Sequence, residues 1–119
     1  MHGSNTLPKS ERLQRGYQFR RAYEHGHKFV GRLVVLHVVD DPTADRALGT
    51  VTSRKIGGAV IRNRARRLLR EAYRLNKQKL KTNLHLVMIA RSGINGKRLR
   101  DVEAELLRLF KAAGILNET

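Results

Sequence analysis

The segment AVIRNRARRLLREAYR, residues 59–74, most restricts what this chain can fold into, because its apolar residues recur at helical spacing. At about 100° per residue, one side of the helix collects Ile61, Ala65, Leu68, Leu69 and Ala72. The opposite side collects Arg62, Asn63, Arg66, Arg67, Arg70 and Arg74, while Arg64 lies on a flank near Glu71. The pattern predicts a helix from about Ala59 to Lys79 that buries one face and points guanidinium groups outward.

This single-sign face indicates a polyanionic partner. From Arg54 to Arg74 there are eight cations and one acid, a local charge of +7, and the whole chain carries +15. Like charges four residues apart reduce helix stability, so a helix that only needed solvation would mix signs. Arginine also offers a planar fork that binds phosphate in a bidentate manner and stacks on bases. We therefore expect a nucleic-acid partner, with an anionic membrane surface as the second class.

Composition narrows the remaining classes. The chain has no cysteine, which excludes disulfides and thiolate metal sites. It has no run of about 18 apolar residues that would predict a membrane-spanning helix, and its start lacks an apolar signal core, so we expect a cytoplasmic protein. A membrane-surface role is disfavoured because the apolar seam of the basic helix is short and lacks Trp and Phe.

The rest of the chain predicts an α+β domain. A short helix carries Phe19, Ala22 and Tyr23 on one face and stops at Gly26. Strands are predicted at 32–39, 47–53 and 84–91, with a short extra strand near Lys28 to Val30, and a final helix at about 98–113. The short turn at 40–45 predicts that the second main strand runs antiparallel to the first, and the basic helix then forms a βαβ crossover. The fold class is an α-β sandwich with helices packed on one small mixed sheet.

The domain prediction has two parts. Residues 1–9 are predicted to be a flexible N-terminal segment, of which MHGSNT is either native sequence or a cloning remnant. Residues 10–116 are predicted to be a single RNA-binding domain, since 119 residues suffice for one modest core.

The stretch SRKIGGAVIRNRARRLLREAYR resembles the signature of the bacterial ribonuclease P protein subunit. Its Arg62-Asn63-Arg64 core follows the lead KIGGAV and precedes the pair Arg66-Arg67 and then Arg70-Glu71. ERLQRGYQFRRAYEHGHKFVGRLVVLHVV looks like the opening of that family, and LHLVMIAR is similar to the strand after its basic helix. The resemblance therefore runs from Glu11 to Phe110 in the same order.

The resemblance implies a ribosomal-protein-like fold with a left-handed βαβ crossover, whereas the general rule would predict a right-handed one. It implies an assembly that removes the 5′ leader from precursor tRNA, with the active site in a catalytic RNA and no catalytic residue or metal ligand in this chain. The protein would bind that RNA and the leader and raise substrate and metal affinity. Mg²⁺ would be held mainly by the RNA subunit and substrate phosphates, and no membrane or obligate protein partner is implied.

Two surfaces follow from the resemblance and the helical wheel. The RNA-binding set is Arg54, Lys55, Arg62, Asn63, Arg64, Arg66, Arg67, Arg70 and Arg74. The leader-binding cleft is Phe19, Tyr23 and His37, since single-stranded RNA is held by cations and by aromatic faces on which bases stack. The sequence departs from the family pattern at His37, where an aromatic residue is frequent, and at Gly58 and Gly31.

One alternative shares every compositional feature. A ribosomal or RNA-chaperone-type protein would have the same charge and fold but no role in cleavage, and only the signature and the aromatic cleft separate the two. An enzyme acting alone is disfavoured because the sequence shows no nucleophile with a base, no P-loop and no zinc spacing.

Overall fold

The structure is a computed structural model that describes residues 7–117. Three helices and four strands alternate along the chain: α1 Gly16–His25, β1 His27–Val30, β2 Val34–Asp40, β3 Ala47–Val51, α2 Ala59–Asn76, β4 Leu84–Ala90 and α3 Leu99–Ala113. The predicted α+β class is confirmed, and so is the short extra strand, which is β1. Within residues 7–117, no helix combines the length and hydropathy needed to cross a membrane.

The sheet has the order β1-β2-β4-β3, with β4 antiparallel to β2 and parallel to β3. β2 and β3 therefore run in opposite directions, as predicted, but they are not neighbours because β4 lies between them. The apolar run LHLVMIA is buried along nearly all of its length, and a strand of that kind is most stable in the middle of a sheet. The predicted crossover from β3 through α2 to β4 is present, and its left-handed sense remains a prediction.

Helices cover the two sheet faces unequally. α2 and α3 pack on one face and form the main core with alternate residues of the strands, including Val34, Leu36, Leu69, Leu86, Met88, Leu106 and Phe110. On the other face, α1 and its approach segment cover a smaller cluster of Leu13, Ala22, Val39, Ala47 and Val87. This second face is consequently open along part of its length.

The buried side of α2 differs in part from the helical-wheel prediction. Ala65, Leu69 and Ala72 are buried as predicted. The prediction that Ile61 belongs to the buried seam is wrong, since 44% of its surface is exposed. The first turn of α2 lies beside the preceding loop, and the Ile61 side chain packs on Gly57 there rather than on the sheet.

The N-terminal segment joins the core earlier than predicted. Leu7 is only 1% exposed and belongs to the main core, so packing begins before the expected domain start at residue 10. Arg12 forms an isolated parallel bridge with Leu48 of β3. The rest of the predicted flexible segment, residues 1–6, lies outside the described residues.

A buried glutamate of α3 fixes the β1–β2 turn. The Glu105 carboxylate, only 3% of whose residue is exposed, accepts hydrogen bonds from the backbone amides of Arg32 (2.9 Å), Leu33 (2.7 Å) and Val34 (2.8 Å). Gly31 leaves room for it, because a Cβ at that position would lie 2.5 Å from a carboxylate oxygen. The turn is thus held by a residue more than seventy positions away in sequence.

Two adjacent leucines of α2 provide a test of how this helix packs. Leu69 is fully buried in the main core, whereas Leu68 is partly buried at its margin. We expect Leu69→Ala to lower the free energy of unfolding by about 2–5 kcal/mol, because it leaves a cavity, and Leu68→Ala to have a distinctly smaller effect. Urea unfolding of both variants measures this, and equal losses would contradict the orientation of α2.

Candidate nucleic-acid interface

The loop before α2 delivers two cations to the start of the helix. Arg54 and Lys55 lie exposed in a 3₁₀ turn, Arg54–Ile56. Gly57 follows with φ of 144°, a conformation that L side chains rarely adopt, and the Ile61 side chain occupies the space that a Cβ would need. α2 then begins after Gly58, with no side-chain cap and no acid in its first turn. The amides and the positive dipole end of the helix are therefore available to anions.

The predicted arginines of α2 form neutral contacts that orient them without cancelling their charge. Arg66 donates from Nη1 to Oδ1 of Asn63 (2.7 Å) and from Nη2 to Oγ1 of Thr52 (2.8 Å). Arg62 reaches the Gly57 carbonyl at 3.5 Å. These contacts hold the guanidinium groups over the end of β3, so the face stays strongly positive.

The nine predicted RNA-binding residues do not form one uniform patch. Arg64 points toward the start of α3, where it donates to the Lys97 carbonyl at 2.6 Å. Arg67 is exposed between that side and a hollow of about 450 Å³ lined by Val60, Asn63, Arg66, Arg67 and Arg70. Arg74 forms a salt bridge with Glu71, and it is the only one of the nine that pairs with an acid among residues 7–117.

A further arginine belongs to this surface although the sequence analysis did not assign it. The pKa of Arg70 is lowered by burial and then by the neighbouring charges of Arg12 and Arg66. Arg12 reaches this position because its segment runs beside β3, a pairing that has no local sequence signal. None of the three forms a salt bridge within the described part of the chain. We call Arg12, Arg66 and Arg70 the arginine cluster.

The predicted aromatic cleft is present on the open sheet face, with different exposure for each member. Tyr23 is 43% exposed and meets His37 edge-on, with ring centroids 5.0 Å apart. Phe19 is partly buried and packs against Gly49, where a Cβ would lie 2.5 Å from the ring. Tyr23 therefore offers the largest free aromatic face of the three.

His37 lies deeper than a stacking surface requires. It is 7% exposed, and its Nδ1 has no hydrogen-bond partner. Burial lowers its pKa, the charge of Lys28 lowers it further, and the Ala22 backbone opposes both. His37 is therefore held in its neutral form, and its main contact is the edge of Tyr23.

An apolar row across the sheet connects the two surfaces. Val30, Val35, Ile89 and Val51 are direct partners in neighbouring strands, and they follow the order β1-β2-β4-β3. Val30 is 58% exposed, and the other three are partly exposed. The row ends one residue before Thr52, which binds Arg66. Bases placed along it would leave their phosphates close to the arginine cluster.

The described residues do not suit a protein-bound metal. No group of three or more His, Asp or Glu side chains in residues 7–117 is close enough to hold an ion. The acidic turn after β2 is engaged otherwise, since Asp41 accepts from Arg21 (2.6 Å) and from Thr43, and these bonds hold the pKa of its carboxyl well below the usual range.

Comparison with known proteins gives one consistent result. The sequence profile of the family described as Ribonuclease P matches residues 7–114. The "Ribonuclease P protein component" of Clostridium botulinum strain Langeland is 38% identical over 110 residues, 92% of this chain and 99% of that protein. The component of Clostridium acetobutylicum is 39% identical and covers 91% and 92%.

Solved structures agree with the sequence comparison. The Staphylococcus aureus RNase P protein superposes with a TM-score of 0.81 at 27% identity, covering 92% of this chain and 100% of that one. The Thermotoga maritima RNase P protein superposes with a TM-score of 0.76 at 27% identity, covering 86% and 96%.

Proposed function

The chain belongs to the ribonuclease P protein family, and from that membership we propose that it binds a ribonuclease P RNA through the arginine face of α2 and a single-stranded precursor-tRNA leader on the open sheet face. The assembly would remove the 5′ leader in the cytoplasm, without a membrane or an obligate protein partner. The protein is thus a subunit of an endoribonuclease, and we assign the chemistry to the RNA.

The observation that best supports this proposal is the contact between two unlike surfaces. The arginine cluster brings three guanidinium groups together without a carboxylate, an arrangement that a polyanion stabilises. The apolar row and Tyr23 lie directly beside it and suit unpaired bases, which stack on aromatic and apolar surfaces. Phosphates on one side and bases on the other are what a single strand beside a folded RNA presents.

The proposal leaves Mg²⁺ to the RNA subunit and the substrate phosphates, because the described residues offer no fitting cluster of acids or histidines. The contribution of the protein is to neutralise phosphates and to fix the leader at the RNA surface. Holding phosphates of both RNAs close together would gather oxygen ligands for the ion, which accounts for the expected rise in metal affinity.

Reconstitution tests the proposal. Purified protein is mixed with a bacterial ribonuclease P RNA at low Mg²⁺, and leader release and the affinities for precursor and mature tRNA are measured. We expect activity to require both components, and we expect precursor to bind more tightly than mature tRNA. Tyr23→Ala should reduce that preference by about five-fold or more, since stacking contributes about 1–3 kcal/mol per base.

The matched control is Arg100→Ala, an exposed cation of α3 outside both surfaces, which should keep the preference. Tight binding to RNA without stimulation of cleavage, and without any preference for precursor, would instead support a ribosomal or RNA-chaperone-type protein.

A further inference from the structure

A second hollow lies on the open sheet face, at the opposite end of α1 from Tyr23. It has a volume of about 350 Å³, and it lies between residues 10–18 and the sheet edge at which β3 and β4 begin. Its walls include Arg15, Tyr17, Asp45 and His85. None of the residues that line it belongs to the predicted leader cleft or to the apolar row.

The clearest sign that this hollow receives a ligand is His85. It is 8% exposed, and within residues 7–117 neither ring nitrogen takes part in a side-chain hydrogen bond. Buried polar groups normally have partners, because an unpaired one loses its hydration without compensation. Burial and the charge of Arg21 lower the pKa of this imidazole, against a smaller opposite effect of Asp41. A neutral imidazole can offer one donor and one acceptor to a ligand.

The other side chains of the hollow are either fixed in its wall or free to bind. Gln18 accepts at Oε1 from the amides of Gln14 (2.9 Å) and Arg15 (3.0 Å), which anchors the start of α1. Tyr17 is 60% exposed. Arg15, Asp45 and Tyr17 form no salt bridge among the described residues. The hollow therefore presents an aromatic face, a cation, a carboxylate and an imidazole together.

We propose that this hollow binds one nucleotide of single-stranded RNA, with the base stacked on Tyr17 and its polar edge toward Asp45 and His85. Arg15 would contact the adjacent phosphate. The inference rests on the proposed function, because the RNA would be the precursor-tRNA leader beyond the part held by Tyr23. Both sites lie on α1, six residues apart, which is about 9 Å along the helix axis.

The carboxylate gives the pocket a base preference. Asp45 can accept a hydrogen bond from the exocyclic amino group of adenine, cytosine or guanine. Uracil has no such group and would turn carbonyl oxygens toward the carboxylate. We therefore expect the pocket to disfavour uracil.

The test uses the holoenzyme with precursor tRNAs whose leaders lengthen by one nucleotide at a time. For the wild type, we expect affinity to increase first when the leader reaches Tyr23 and again when it reaches the pocket. Tyr17→Ala should lose the second increase, by about five-fold or more, and bind short leaders normally. Uracil at the pocket nucleotide should weaken the wild type, whereas Asp45→Ala should be indifferent to the base. Both residues are exposed, so neither variant should disturb the fold.

The outcomes separate the two hypotheses. If Tyr17→Ala and Asp45→Ala both bind every leader length like the wild type while Tyr23→Ala is defective, the pocket proposal is wrong and the proposed function stands. An equal defect of Tyr17→Ala at all leader lengths also overturns it. If the wild type shows no dependence on the leader, the proposed function fails and the pocket proposal falls with it.

Discussion

Replacing Glu105 by alanine is expected to lower the free energy of unfolding by about 3–5 kcal/mol, the largest single-residue effect on stability that we expect. The carboxylate is buried and accepts three backbone hydrogen bonds from the β1–β2 turn. Hydrogen bonds to charged groups are each stronger than neutral ones, and the amides left behind have no other partner in the turn. Urea unfolding followed by circular dichroism measures the loss.

The neighbouring Arg108 provides the control. Its guanidinium lies 3.9 Å from the Glu105 carboxylate and is 70% exposed, so Arg108→Ala should change stability by less than about 1 kcal/mol. Glu105→Gln keeps the shape and one acceptor oxygen and should fall between the two. If Glu105→Ala were no more destabilising than Arg108→Ala, the turn would not depend on the carboxylate.

Removing arginines from the α2 face is expected to have the largest effect on RNA binding. If Arg66 and Arg67 contact phosphates, each change to alanine should reduce the slope of log K against log salt by about 0.7–0.9, because one fewer counterion is released. Arg12→Ala should reduce it in the same way, although the sequence analysis did not assign Arg12 to this face. Binding of ribonuclease P RNA at several salt concentrations measures the slopes.

Two variants separate charge from geometry. Arg66→Lys retains the cation but loses the fork that reaches both Thr52 and Asn63, so it should bind more weakly with a nearly unchanged slope. Arg100→Ala, outside the face, should change neither quantity. Slopes that stay at the wild-type value in Arg66→Ala and Arg67→Ala would mean that these residues do not contact phosphates.

Features with a local period were predictable from sequence. The buried stripe of α3 was predicted through Val102, Leu106, Leu109 and Phe110, and all four are buried, because their spacing alone defines one side of a helix. The same reasoning was wrong for Ile61, since periodicity identifies a side of a helix but not the point at which the sheet beneath it ends.

The order of the strands could not be read from local patterns. The short connection between β2 and β3 is typical of neighbouring strands, but β4 pairs with both of them. The row of Val30, Val35, Ile89 and Val51 depends on the register of all four strands, so no segment of sequence contains it. The closeness of Arg12 to Arg70 has the same origin.

One missed feature did have a sequence signal. Glu105 lies between Val102 and Leu109 on the helical wheel, so it is a charged residue within the apolar stripe of α3. A carboxylate in that position requires donors when it is buried. The sequence therefore indicates an anchored backbone segment, although it does not identify the β1–β2 turn as that segment.

The central position of β4 has a consequence for biosynthesis. This strand is the last of the four to be translated, yet it joins the other three into one sheet. Until residues 84–90 leave the ribosome, β3 has no partner strand and the β1–β2 hairpin has an unpaired edge. The β1–β2 turn gains its acceptor only after residue 105. Folding must therefore be a late and cooperative event, dominated by contacts distant in sequence, and a nascent chain released before that point would expose sheet edges that promote aggregation.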